Sequence, residues 1–537
     1  MALSAARRAD WGRGIVLSAI LIAAALLRLR FAAVPFERDE GEYAYMGQLI
    51  LHGALPYVDA YNMKLPGVYY ANAAILAAFG ETDVAIRLAV LLINLASIIL
   101  IERLGRRLVD TTTGLCAAAA YALLSVSPSV LGFAAKAEHF VVLPMLAGVL
   151  LLTQPDGRRP PGYVVGAGVL LGLAVLMKQS GAAFVVFGAL YILASGRAAW
   201  PRAVADAAIL AAAAAAPLAL TCLGMYVAGA FDAFWFWTFT YAGTYATMVP
   251  LGDAVRELGE RVTSIFASAP ALWVIAAGGV TAPWWDDASR RRACFLALFL
   301  SCSLLAVVPG LRFSEHYFIL LLPAASLAFG MAVSGVTRTA AVQRLGIAEW
   351  VRVGVPLLAI GVSAAQQATE FWPLPPAALS RAVYGANPFP EAVELARYLR
   401  QHSARDDRVA VIGSEPEIYF YAQRRAATGY IYMYPLMEAH AFSQRLQENM
   451  IAQIEHERPR YMVLVNVDPS WTMRPTSSRL ILDWAERTVN ADYRPIAMAE
   501  ITPGAPTVYR WGADAGTAAP RSRFYIMLFE REGQSHT

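Results

Sequence analysis

Long uncharged runs recur through the first ~370 residues of this chain and then stop, and that distribution limits its fold more than any other feature. A helix crosses a bilayer in about 20 apolar residues, because every backbone N–H and C=O must find a partner inside the segment. On that criterion about eleven spans are predicted, near 14–34, 83–101, 112–128, 138–153, 162–177, 180–195, 203–228, 263–283, 293–309, 315–334 and 351–369. The apolar stretch 66–80 is short and is expected to lie along the membrane surface. Composition agrees. Of 537 residues, 58% are hydrophobic and 16% charged, against about 45–50% and 25% in soluble domains. That excludes a cytosolic enzyme, a disulfide scaffold and a disordered interaction protein. A net charge of only +4, without a basic run, excludes a nucleic-acid partner. Cys116, Cys222, Cys294 and Cys302 sit in apolar runs at no metal-ligand spacing and read as core thiols. Arg7, Arg8 and Arg13 precede the first run as in a signal peptide, but with further spans behind it an uncleaved helix is expected.

Basic residues set the orientation. With the N-terminus inside, the inner loops carry Arg103, Arg106 and Arg107, then Arg158 and Arg159, Arg197 and Arg202, Arg290, Arg291 and Arg292, and Arg338 and Arg344. The alternate loops carry acids: Asp39, Glu40, Glu42, Asp59, Glu81, Asp83, Asp253, Glu257 and Glu260. Arg38, Arg256, Arg261 and Arg312 are exceptions, so the rule acts as a bias. An odd number of spans places everything after the break at Trp372-Pro373-Leu374-Pro375-Pro376 outside. There the pattern alternates: helices near 389–402, from 415 and near 436–457, and strands near 408–413, 460–465, 507–511 and 523–529. Ser414 and Glu417 have capping-box spacing, with Pro416 in the first turn. The predicted architecture is a polytopic α-helical membrane domain, 1–370, followed by a soluble, extracytoplasmic α/β domain, 371–537.

Polar chemistry gathers on the outer side. Glu37, Asp39, Glu40 and Glu42 fall within six residues directly after the first span, opening a long outer loop, 35–82. On a helix Asp39 and Glu42 share a face at i,i+3 while Glu40 points elsewhere, and a carboxylate at a lipid–water boundary can serve as a general base. The alternative is a solvated acidic cap. Of 44 basic residues, all but Lys64, Lys136 and Lys178 are arginines. These three all fall in predicted outer loops, where positive charge is disfavoured. A compact ammonium there suits a phosphate oxygen at the membrane surface. Glu315-His316, opening the tenth span, echoes Glu138-His139 at the fourth. Carboxylates with imidazoles could hold a divalent ion, or the histidines could simply be hydrogen-bonded at the interface. The aromatic run Phe231–Trp237 reads as an interfacial belt or as the wall of a lipid groove.

Arg38-Asp39-Glu40-Gly41-Glu42-Tyr43, Gly53-Ala54-Leu55-Pro56-Tyr57, Lys64-Leu65-Pro66-Gly67 and Ala85-Ile86-Arg87-Leu88 resemble the opening of a family of bacterial membrane glycosyltransferases. That family is related to the protein O-mannosyltransferases and the lipid A aminoarabinose transferase, and is of the glycosyltransferase family 39 type. Glu138, Lys178-Gln179 and His316-Tyr317 continue the resemblance, which covers roughly 30–330. It implies the GT-C fold in the bacterial inner membrane, with the site and tail periplasmic. It also implies inverting transfer of a sugar from a polyprenyl-phosphate donor to a lipid, glycan or protein acceptor. By the same resemblance Asp39 takes the place of the first-loop catalytic acid, Glu138 that of the second-loop acid, and Lys64 that of a lysine meeting the donor phosphate. Lys136 and Lys178 are further candidates for the phosphate. Glu40, Glu42, Tyr43, Gln179, Glu315 and His316 are candidates for acceptor contact or support. Met63 stands where the aminoarabinose transferase has a metal-binding Glu, which tells against a metal there and against that substrate. The competing class is a transporter or flippase of lipid-linked saccharides, which would place its polar groups at mid-membrane and show internal repeats.

Overall fold

A computed structural model describes residues 2–154, 159–196, 199–517 and 519–533, so Arg158 and Arg197 of the arginine pattern lie outside the described residues. The chain is mostly helical, and each predicted span falls on a helix or a helix pair. Asp10–Arg30, Asp83–Leu108, Trp200–Val227 and Ala348–Thr369 are each long and apolar enough to cross a membrane. The remaining apolar helices, among them Gly67–Phe79, Thr111–Leu124, Ala137–Leu152, Pro161–Met177 and Ala293–Val307, are shorter. The run at 263–283 is not one rod. Leu251–Ser268 and Pro270–Trp285 meet at 107°. Pro270 drives the residue before it out of helical conformation, and Ala269 has φ −155° and ψ 58°. The tenth run is also divided, into a 3₁₀ segment, Glu315–Leu320, and the helix Leu322–Arg338. Backbones approach closely where glycines allow it: a Cβ on Gly279 would lie 1.7 Å from the Ala328 carbonyl oxygen, and one on Gly330 2.3 Å from that of Thr113. Cys116 and Cys302 are buried as expected, whereas Cys222 is half-buried and Cys294 exposed.

The C-terminal part carries a six-stranded sheet of β1 (Arg408–Ile412), β2 (Arg425–Ala426), β3 (Tyr461–Asn466), β4 (Tyr493–Ile501), β5 (Val508–Trp511) and β6 (Phe524–Arg531). The strand order is β2-β1-β3-β6-β4-β5. β1 runs parallel to β2 and β3, and the remaining pairs are antiparallel. β4 and the helix Leu480–Asp492 escape the sequence pattern, since Pro495 and a bulge before Ala497 interrupt the alternation of β4. The helix predicted over 436–457 is two, Tyr434–Met437 and Ser443–Glu457. The capping box does not form. Pro416 is the N-cap of Glu417–Ala422 and no side chain caps it; the Ser414 hydroxyl instead donates to the Ser470 carbonyl at 2.5 Å.

This sheet shares its hydrophobic core with the first loop. Phe36, Tyr45 and Val68 pack in one cluster with Val409, Val411 and Val463. Tyr45 stacks on Tyr419 with centroids 5.1 Å apart, and its hydroxyl accepts from the Ala426 amide at 2.8 Å. Gly41 lies so close to the Glu417 backbone that a Cβ would meet its nitrogen at 2.6 Å. The Tyr61 amide donates to the Gly429 carbonyl at 2.8 Å. The C-terminal part is therefore seated directly on the segment that holds the acid cluster.

Candidate active site

The acid cluster opens the helix Arg38–Leu51. Glu37 is its N-cap: its side chain accepts from the Glu40 amide, and the Glu40 carboxylate accepts from the Glu37 amide. This capping box fixes the first turn and with it the faces. Asp39 and Glu42 point together to Lys64, as their spacing predicts. The Lys64 ammonium donates to Asp39 Oδ1 at 2.9 Å and also to Glu42. Glu42 accepts a second bond, 2.6 Å long, from the Tyr69 hydroxyl. Glu40 turns away into a buried pair with Arg87 at 2.9 Å and accepts from the Ala135 amide. It supports the turn and does not reach the lysines.

Lys64 is placed by the backbone around it. Its carbonyl accepts from the Tyr57 hydroxyl at 2.7 Å, and Tyr57 sits at φ 71°, a left-handed conformation rare for an aromatic residue. The Gln179 amide donates to the Met63 carbonyl at 2.8 Å, tying the third outer segment to the first. The Tyr43 ring lies 4.8 Å from the ammonium. Lys136, just before the helix Ala137–Leu152, is buried between Asp39 Oδ2 at 2.7 Å and Glu37 at 2.8 Å. Lys178, at the end of Pro161–Met177, pairs with Glu138 and lies 3.7 Å from the centre of the Tyr317 ring. His316 Nε2 stands 3.9 Å from both Asp39 and Glu138, beyond hydrogen-bond distance, and burial holds its imidazole well below the usual range, so it sits uncharged between them.

Thus Asp39, Glu42, Lys64, Lys136, Glu138, Lys178, Tyr43 and His316 converge, and Gln179 braces them. Glu315 does not belong: it pairs with Arg261. His139 is also elsewhere, its Nε2 2.8 Å from the Gly132 carbonyl. The four candidate metal donors therefore do not form one ligand set, and among the described residues no group of three or more His, Cys, Asp or Glu is arranged to hold an ion. One partner is not apparent in the sequence: Tyr432, from the C-terminal part, donates to Asp39 Oδ1 at 3.1 Å. Tyr317, which follows His316 in the resembling motif, supplies the ring beneath Lys178. The alternating tyrosines 430, 432 and 434 were the available signal for Tyr432. The aromatic run Phe231–Trp237 is only partly a surface belt: Trp235 is exposed, but Phe234 and Trp237 are buried, Trp237 against Tyr61.

Electrostatically the cluster is close to balanced. Burial alone would raise the Asp39 carboxyl, but Lys136 and Lys64 outweigh it and hold the group well below the usual carboxylate range. Burial likewise opposes the charged forms of Lys64 and Lys136, and their carboxylate partners reverse this and raise both. For Glu42 burial wins over Lys64 and pushes the carboxyl up. Asp39 is therefore a bound anion whose two oxygens are taken by ammonium groups. Those two ammonium groups are Lys64 and Lys136; the third lysine of the chain, Lys178, pairs with Glu138.

Comparison with known proteins gives this arrangement a context. Residues 63–224 match the model of a family described as dolichyl-phosphate-mannose-protein mannosyltransferase. The fold resembles that of ArnT from Cupriavidus metallidurans bound to undecaprenyl phosphate, with a TM-score of 0.60 at 15% identity, over 96% of this chain and 98% of that one. The same ArnT in the apo state gives a TM-score of 0.56 at 14% identity, over 97% and 98%. The archaeal oligosaccharyltransferase AglB from Archaeoglobus fulgidus, in complex with an inhibitory peptide and a dolichol-phosphate, gives 0.52 at 13% identity, over 94% and 75%. None of the curated proteins matches in sequence. The chain has the GT-C fold and resembles glycosyltransferases of the family 39 type.

Proposed function

We propose that this chain, built on a glycosyltransferase fold, transfers a sugar from a polyprenyl-phosphate donor to a hydroxyl-bearing acceptor with inversion at the anomeric carbon. The observation that carries the proposal is the gathering of every lysine of the chain around Asp39 and Glu138. A departing polyprenyl phosphate needs compact positive charge, which the ammonium groups supply. The fold neighbours in complex with undecaprenyl phosphate and dolichol-phosphate favour that class of donor.

In the proposed reaction the acceptor oxygen attacks the anomeric carbon as the carbon–oxygen bond to phosphate breaks. The bonding pair leaves on the phosphate, and the acceptor proton passes to Asp39. With both its oxygens held by lysines Asp39 is a weak base. A phosphate that draws Lys64 and Lys136 onto its own oxygens removes the groups that depress the carboxyl and restores its basicity. Glu138 orients the acceptor, its partner Lys178 is a further ligand for the phosphate, and His316 lies between Glu138 and Asp39. In this reading about eleven spans cross the bacterial inner membrane, and the site and C-terminal part face the periplasm, where lipid-linked sugars replace nucleotide sugars. Asp39→Asn keeps the shape and removes the base. In proteoliposomes it should insert normally and lose about 10²–10⁴-fold in transfer from a polyprenyl-phosphate sugar; normal insertion with wild-type transfer would reject Asp39 as the base.

A further inference from the structure

Among the described residues three side chains donate to the Asp39 carboxylate: Lys64 to Oδ1 at 2.9 Å, Lys136 to Oδ2 at 2.7 Å and Tyr432 to Oδ1 at 3.1 Å. The first two carry full positive charge. The third is a neutral phenol, and it comes from the C-terminal part. We infer that Tyr432 is a positioning residue: it keeps hold of Oδ1 when the lysines turn to the donor phosphate, and so leaves Oδ2 as the oxygen that takes the acceptor proton. The inference rests on the transferase reading and deepens it, because it gives the C-terminal part a share in the chemistry.

The two oxygens of Asp39 are not equivalent. Oδ2 has Lys136 alone, so passage of that ammonium to a phosphate frees it, whereas Oδ1 loses Lys64 and keeps Tyr432. An anionic phosphate draws ammonium groups by their charge, and a neutral phenol feels no such net attraction. Tyr432 is also fixed from behind. It is buried, and its ring stands edge-on to Tyr434 at 5.4 Å. The Tyr434 hydroxyl accepts from Arg38 at 3.0 Å and donates to the Pro469 carbonyl at 2.8 Å. The Met433 amide donates to the Ser414 hydroxyl at 2.8 Å, and the Ser414 carbonyl accepts from Arg38. Arg38 directly precedes Asp39, so phenol and carboxylate are held to one frame. Burial, Asp39 and Glu42 hold the phenol well above its ordinary range, so it stays a donor. The other groups facing Asp39 are His316, 3.9 Å from Oδ2, and Glu37 and Glu42, which share its lysines; the Tyr43 and Tyr245 phenols lie in its field.

Isotope-edited infrared titration of the aspartate carboxyls tests this on the full chain in nanodiscs, with and without saturating undecaprenyl phosphate. The Asp39 band is the one that Asp39→Asn lacks. Undecaprenyl phosphate should raise the Asp39 titration of the wild type by drawing off the lysines. In its presence Tyr432→Phe, which keeps the ring, should titrate about one to two pH units higher again, because a hydrogen bond to the charged form is gone. Affinity for undecaprenyl phosphate should stay within about twofold of wild type, since no phosphate contact is lost. Tyr430→Phe, two residues away, should titrate as the wild type. Should the Phe variant fold poorly, 3-fluorotyrosine at position 432, a stronger donor of nearly the same shape, should move Asp39 downward instead. Equal titration of wild type and Tyr432→Phe, or a difference confined to the phosphate-free protein, would overturn this inference alone. A wild-type Asp39 indifferent to undecaprenyl phosphate would reject the lysines as phosphate ligands, and this inference with them.

Discussion

The two ends of the helix Asp83–Leu108 carry charge clusters of opposite design. Arg87, near its start, belongs to the lysine end, and Asp110, just beyond its finish, to an arginine end roughly 35 Å away along the helix axis. At the arginine end Arg338 grips Asp286 with two donors, at 2.9 and 2.7 Å, and reaches Asp110 as well. Asp286 caps the short turn after it through the Ser289 amide, and Arg13 and Arg106 share the buried Glu102. Planar forks hold their carboxylates in fixed geometry and clamp helix ends. At the lysine end each ammonium is a point charge that can exchange one oxygen for another, and aromatic faces support two of the three. Arginine thus stands where charge is fixed by several donors, and on the proposed function lysine stands where charge is to pass to the donor phosphate.

That contrast can be broken in graded ways. The largest effect is expected at Lys136, whose removal takes the ammonium from Asp39 Oδ2 and from Glu37 in a buried site. Lys136→Met should cost about 3–5 kcal/mol of stability, read as a lower Tm in detergent. Lys178→Met leaves the buried Glu138, whose other oxygen is unbonded, without its ammonium, and should slow transfer by about 10- to 100-fold and also lower the Tm. Smaller again is a pH effect in the C-terminal part. Glu417 is fully buried with neither oxygen bonded; burial first and then the Glu415 carboxylate raise it well above the usual range. It folds protonated, so its contribution is complete below the ordinary glutamate value and is lost as pH rises toward the elevated one, by about 1.4 kcal/mol per pH unit. Glu417→Gln should flatten that slope in a Tm-against-pH series. The smallest effect is expected at the partly exposed Arg338, where Arg338→Gln should change stability by about 1 kcal/mol or less and leave transfer at the wild-type rate.

Much of the lysine end was legible in the sequence, for physical reasons. Helix periodicity put Asp39 with Glu42 and set Glu40 apart, and the rarity of lysine singled out three residues that long-range folding brings together. Hydropathy placed the helices, yet it could not register the bend at Ala269, because apolar content continues through a break that backbone geometry imposes. Glu315 was misread since adjacency to His316 says nothing about direction: in the 3₁₀ turn the two neighbours face different partners. Tyr432 lies 393 residues beyond Asp39 in sequence, and only the docking of the sheet on the first loop reveals it. β4 was obscured by its proline and bulge.

On the proposed function the lysine end, and not the arginine end, receives the donor phosphate. Affinity for undecaprenyl phosphate in nanodiscs, measured side by side for the wild type, Lys64→Gln and Arg338→Gln, tests it most directly. Lys64→Gln should lose about tenfold or more, as for removal of a charge-assisted phosphate contact, and Arg338→Gln should lose nothing. Unchanged affinity in Lys64→Gln, or a loss confined to Arg338→Gln, would contradict it.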